Sequence, residues 1–110
     1  MEITKTEYKR ATVLKCVGRI DSATAPDLEK QLMELVLSGK NIILDLQEIS
    51  LVSSQGWWAI IRVQKELKKI GRKKLILVCV CENVRDSMNL IGIMPYFTVF
   101  EDMVDAIASL

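Results

Sequence analysis

No histidine occurs anywhere in this chain, and that absence removes the usual serine triad, because a hydroxyl nucleophile needs a base held beside it. The Gly-x-Ser-x-Gly elbow of the hydrolases is missing too, as are a phosphate-cradling Gly-x-x-x-x-Gly-Lys-Ser/Thr loop and a dinucleotide fingerprint. An enzyme is not expected, and no catalytic residue is assigned. Cysteine is scarce: Cys16, Cys79 and Cys81 sit in the apolar runs VLKCVG and LILVCVC and read as reduced strand residues. A Cys-x-Cys pair without histidine falls short of a four-ligand zinc site, so neither a metal nor a cofactor is expected. No apolar run approaches the roughly 20 residues of a membrane helix, and no amino-terminal signal pattern is present. These absences point to a cytoplasmic protein without direct membrane insertion. Charge of one sign is lacking as well, since 15 basic and 14 acidic residues leave a formal net charge of +1. No long-range field therefore argues for nucleic acid or an anionic membrane.

What is present is the balance of a folded protein, with half of the residues apolar and about a quarter charged. A length of 110 residues suits one domain, taken as 1–110, and no repeat or linker interrupts it. ITKTEYKR and TVLKCVG read as two strands joined by a hairpin near Lys9 and Arg10. Ser22, Thr24 and Pro26 open an amphipathic helix whose Leu28, Leu32, Leu35 and Val36 share one side, and Gly39 stops it. NIILDL and KLILVCV are continuous apolar runs of the kind that strands buried on both faces show. The segment between them predicts a helix from near Ser54 to Gly71, making a βαβ unit. Beyond it come a helix with Val84, Met88 and Ile91 on one side, a short strand around FTVF, and a terminal helix held down by Val104 and Ile107. The expected fold is α/β, a mixed β-sheet of four to five strands with about four helices packed mainly on one side.

The junction LVSSQGWW, residues 51–58, raises the functional question. Ligands and partners meet α/β sheets at the carboxyl ends of the strands, which is where Ser53 and Ser54 fall. Ser54 reads as the better helix cap, and Gly56 as a place where a partner approaches the backbone. Capping is the ordinary role of a serine before a helix, so the junction alone leaves both a cap and a reactive site open. Steps of about 100° per residue put Trp57 with Ile60, Ile61 and Leu67 toward the sheet, and Trp58 with Arg62, Lys65 and Lys69 outward. An exposed Trp58 beside cations is the kind of residue that anchors interfaces; the other reading lays it flat under loop side chains. Lys65, Lys68, Lys69, Arg72, Lys73 and Lys74 form a basic cluster at the helix end, read as a solvated face because no aromatic residues interleave with it. Asp21 and Asp45, placed near strand ends, read as solvated carboxylates rather than an acid/base pair.

GRIDSATAPDLEKQL, then IILDLQEISLVSSQGWWAII, then VRDSMNLIGIMPYFTVFEDMVDAI, in that order and spacing, resemble the STAS domain of bacterial anti-sigma factor antagonists over essentially the whole chain. The resemblance implies a protein that is not an enzyme, and that binds an anti-sigma factor with kinase activity to release a sigma factor. It also implies shut-off when the kinase phosphorylates a serine at the position of Ser54, and reversal by a phosphatase. Asp21, Ser22, Ser53, Ser54, Gln55, Gly56 and Trp58 are the partner-binding candidates. Ser53 stands where the family usually has aspartate, Gln55 where a small residue is common, and Trp57 and Trp58 where leucine and a small residue are common. A homodimer is left open. The alternatives are a constitutive STAS module, in a lipid-transport ABC system or a signalling scaffold, with Ser54 only a helix cap, and a small nucleotide- or lipid-binding carrier.

Overall fold

The computed structural model describes residues 1–71 and 73–110. Five strands form one sheet whose spatial order repeats the chain order: β1 (Glu2–Glu7), β2 (Ala11–Ile20), β3 (Asn41–Val52), β4 (Leu75–Val78) and β5 (Thr98–Phe100). β1 and β2 are the antiparallel hairpin, turning through Tyr8, Lys9 and Arg10, and the remaining pairs are parallel. The helices are α1 (Ala25–Val36), α2 (Ser54–Lys69), α3 (Glu82–Ile91) and α4 (Met103–Ala108), with a 3-10 turn at Met94–Tyr96.

The continuous apolar runs are explained by burial on both faces. Leu14, Leu44 and Leu77 meet the large core under α1, α2 and α3. Their neighbours Val13, Ile43 and Ile76 face the other way, into a smaller core closed by Ala106 of α4. Three helices therefore cover one face and one short helix the other, in agreement with the expected α/β layering. α1 contributes Leu28, Leu32, Leu35 and Val36, and α3 contributes Val84 and Met88. α3 ends at Gly92, whose φ of 80° is the left-handed conformation that glycine supplies at a helix end without a Cβ clash.

Three expectations about these elements need correction. Val104 and Ile107 do not hold α4 down: Val104 is 76% exposed, Ile107 is exposed, and Ala106 is the buried contact. A short helix lying close on a sheet needs a small residue there, and Ala106 sits against the Val13, Ile43 and Ile76 side. Ile91 is likewise exposed at the end of α3. Of the cysteines, only Cys16 lies within a strand; Cys79 follows β4 in a left-handed conformation with φ 59°, and Cys81 precedes α3. All three are free thiols, and burial pushes that of Cys16 up to about 12.

The feature that positions the functional end is the length of β3. Its pairing with β4 covers only Ile42 to Asp45, yet β3 continues alongside β2 as far as Val52. Register shifts between Lys15 and Val17 and between Gly18 and Arg19 bend this two-stranded extension. Asp45 is consequently interior to β3 rather than at its end, and its carboxylate accepts the Gln47 amide at 3.0 Å in the irregular stretch. Ile49 and Val52 keep the extension anchored in the large core.

Candidate functional site

The tip of the β2–β3 extension hands the chain to α1 on one side and α2 on the other. Past β2, Asp21 organises the loop: its Oδ1 accepts the backbone amides of Ala23 at 3.0 Å and Thr24 at 3.2 Å. These bonds, the Ala23 amide foremost, hold the Asp21 carboxyl below its ordinary pKa. Thr24 precedes α1 without capping it by its side chain. Its hydroxyl accepts the Asp21 amide and donates to the Arg19 carbonyl, both at 2.9 Å. Ser22 lies at the exposed crown of this loop.

Past β3, the cap falls one residue earlier than expected, on Ser53 rather than Ser54. Ser53 is the cap: its backbone is extended, with φ −75° and ψ 169°, and its Oγ accepts the Gly56 amide at 3.2 Å. The Ser53 carbonyl takes the Trp57 amide at 2.9 Å. Ser54 is the first helical residue and is exposed, and among the described residues nothing engages its hydroxyl. Of the four amides that a helix start leaves open, those of Ser53 and Gly56 are satisfied, by the Ile20 carbonyl and by Ser53 Oγ, and among the described residues those of Ser54 and Gln55 find no partner. The first turn carries no acidic residue, so the positive end of the helix dipole is uncompensated there.

Gly56 is also corrected. It is buried, and the group close to it is the protein's own strand end rather than a visitor. A Cβ at this position would lie 2.7 Å from Ile20 Cγ2, 3.0 Å from the Ile20 carbonyl oxygen and 3.0 Å from Val52 Cγ1. Glycine lets α2 start directly against β2, and the Ser53 amide completes the junction by donating to the Ile20 carbonyl at 2.8 Å. The Asp21 loop and the two serines are joined through this contact.

Other candidates divide between two hollows. Ser22 and Gln55 line a shallow groove of about 290 Å³ between α1 and α2, floored by Ala25 and Pro26. Its far wall is the Glu29–Arg62 pair, in which Arg62 Nε and Nη2 donate to the two carboxylate oxygens at 2.9 and 2.6 Å. That fork lowers the Glu29 pKa and raises that of Arg62. Trp58 falls on the other flank, one helical turn beyond Ser54, and is 52% exposed. It lines a second groove with Ile61 and Lys65 against the end of α3.

Trp57 is 1% exposed, as its helical position requires. A buried indole needs an acceptor for its N–H, and this one donates to Ser87 Oγ of α3 at 3.1 Å. Ser87 donates onward to the Val52 carbonyl at 3.4 Å, so it ties α2, α3 and the end of β3 together. Sequence reading did not single out Ser87 or the Glu29–Arg62 pair. The available signal for Ser87 was its place beside Met88 on the inner side of α3, opposite a tryptophan that had to find an acceptor.

The strand-end pole of this α/β sheet carries a capped helix start. Residues 2–106 match the STAS domain model, and the chain belongs to that family. Among similar proteins is BtrV of Bordetella bronchiseptica, described as a "Putative anti-sigma factor antagonist", 27% identical over 90% of this chain and 85% of the relative. An anti-sigma factor antagonist from Mycobacterium paratuberculosis has the same fold, with a TM-score of 0.85, 21% identity, and coverage of 98% of this chain and 92% of that one. The phosphorylated form of the Bacillus cell fate determinant SpoIIAA superposes with a TM-score of 0.74 at 17% identity, covering 98% of each chain. STAS domains also occur in transporters, including a sulfate transporter family protein of Wolinella succinogenes. The anti-sigma factor antagonists are binding regulators, not enzymes. No helix of the described residues is long and apolar enough to cross a membrane, and no metal-ligating cluster occurs among them.

Proposed function

We propose that this protein is an anti-sigma factor antagonist that binds an anti-sigma factor kinase at the β2–β3 pole and is switched off by phosphorylation of Ser54. The observation that carries the reading is the division of labour between the serines. Ser53 caps α2 and leaves the Ser54 hydroxyl exposed and unengaged, as a phosphoacceptor must be. The reading of Ser54 as only a helix cap loses its basis, because the capping oxygen belongs to Ser53.

Serine at position 53, where the family usually has aspartate, keeps an oxygen that can accept the Gly56 amide while giving up a charge. A kinase acting here would have to recognise the pole through shape and the remaining polar groups, Asp21, Ser22 and Gln55 among them. Phosphate on Ser54 would add about 1.5 to 2 negative charges beside the open amides of Ser54 and Gln55, at the end of a helix that favours anions. The modified domain therefore stays folded, and the switch acts on the partner: a complementary surface that accepts a neutral hydroxyl must desolvate a dianion, which costs several kcal/mol. The surroundings proposed for this exchange are cytoplasmic, with a phosphatase restoring the hydroxyl.

The test is to incubate the purified protein with ATP and the anti-sigma factor kinases encoded by its own genome, and to locate any phosphate by fragment mass spectrometry. Phosphate on Ser54, absent in Ser54→Ala and accompanied by loss of kinase binding with the fold retained, is the expected result. Phosphate confined to another residue, or a phospho-Ser54 protein that binds as tightly as before, overturns the proposal.

A further inference from the structure

We propose that the outer flank of α2 is a docking groove for an acidic amphipathic helix of a partner protein. Trp58, Ile61, Lys65 and Lys68 recur at spacings of three, four and three, so they form one stripe along α2 with Ser54 at its head. The stripe from 58 to 68 rises about 15 Å, the length of two to three helical turns.

At the Ser54 end the stripe is apolar. Trp58 and Ile61 face Ile91, Ile93 and Tyr96 across a groove of about 290 Å³. Trp58 and Tyr96 are 52% and 58% exposed, and Leu90, next to Ile91, is 90% exposed. Gln64 fixes the turn that presents Tyr96 by donating its amide to the Tyr96 carbonyl. At the other end the surface turns basic. Tyr96 also borders a hollow of about 230 Å³ that holds Lys68, Lys73 and Lys74. Among the described residues no carboxylate lines either hollow, and Lys65, Lys68, Lys73 and Lys74 enter no ion pair, whereas Lys69 is paired to Glu66.

This polarity selects the occupant. An apolar row must cover Trp58 and Tyr96 over a floor of Ile61 and Ile93, which are buried, and carboxylates must follow at the end that reaches the lysines. The apolar part of the groove is walled by α2, the end of α3 and the 3-10 turn, so an extended peptide lying on Trp58 has no backbone ladder to join there; the edge strand β5 borders only the basic hollow, through Thr98. An amphipathic helix needs only anchors at helical spacing. The inference rests on reading the chain as a partner-binding regulator and does not depend on phosphorylation of Ser54.

The probe is a display library of helix-forming peptides of about four turns, selected on the unmodified full chain without ATP. The expected winners carry large apolar residues at i, i+3 or i+4, and i+7, with carboxylates gathered at one end. For the best peptide, Trp58→Ala is expected to weaken binding roughly thirtyfold, as loss of an aromatic hot spot does. Lys68→Glu combined with Lys74→Glu is expected to exchange the preference for peptides with a basic end. Trp58→Ala should melt at the wild-type temperature, because its side chain is exposed, whereas the double glutamate variant, which places an anion in the last turn of α2, should melt slightly lower and stay folded under the binding conditions. Ser54→Ala should bind like wild type. A library with no winners, winners without acidic ends, or binding that ignores Trp58→Ala overturns the proposal. So does self-association in sedimentation that Trp58→Ala abolishes, which would give the groove to a second copy of the chain. A Ser54 that accepts no phosphate would defeat the switch and leave these results standing.

Discussion

The two sides of α2 use adjacent residues for opposite purposes. On the inner side, Gly56, Trp57, Ile60 and Leu67 are buried, and their identities are set by volume and by the acceptor that an indole N–H requires. On the outer side, Ser54, Trp58 and Lys65 are exposed, and nothing in the packing of the sheet demands them. The difference separates residues that make the fold from residues that the fold displays. It also supplies a criterion: a substitution inside should act through stability, and one outside should leave stability untouched and act on what the protein meets.

Trp57→Ala should produce the largest effect, a loss of about 3–5 kcal/mol by denaturant titration, since it empties a buried aromatic site and strands Ser87. Loss of partner binding in this variant should track the unfolded fraction; binding lost while the chain stays folded would break the assignment of Trp57 to the interior. Gly56→Val comes next, at about 1–3 kcal/mol, because a Cβ would press on Ile20 and Val52. Ser53→Ala should cost about 1 kcal/mol by removing the cap, and Ser53→Asp should restore it. Equal stability of Ser53→Ala and wild type, with Ser54→Ala destabilised instead, would return the cap to Ser54. Smallest of all, Ser54→Ala and Trp58→Ala should each lie within about 0.5 kcal/mol of wild type. A larger shift in either would move that residue from the displayed side to the structural one.

Much of this contrast was legible in the sequence because it follows from periodicity. Rotation of about 100° per residue separates Trp57 from Trp58, and doubly buried strands announce themselves as unbroken apolar runs. The parts that escaped depend on geometry at single positions. Ser53 and Ser54 are the same residue type, and Ser54 reads as the better cap only if the helix starts one residue later than it does, so a boundary shift of one residue decides which hydroxyl is left free. The extension of β3 beyond Leu46 passes through Gln47, Glu48 and Ser50, which break the apolar run although Ile49 and Val52 are buried. At Gly56 the sequence announces a close approach without saying whose backbone approaches, and the strand end that does so is Ile20, more than thirty residues earlier. α4 was misjudged because hydrophobicity favours Val104 and Ile107, whereas close packing on the smaller core favours Ala106.

The sheet order, in which every strand lies beside the one that precedes it in the chain, bears on how the molecule is made. During synthesis, each new strand finds its partner already present at a growing edge, and no gap has to be held open for a later strand to enter. The hairpin of β1 and β2 can serve as the template for β3, and the tip that carries Ser53 and Ser54 is completed when α3 brings Ser87 against Trp57 and Val52. Assembly can therefore run in the direction of translation, from the amino-terminal side onward.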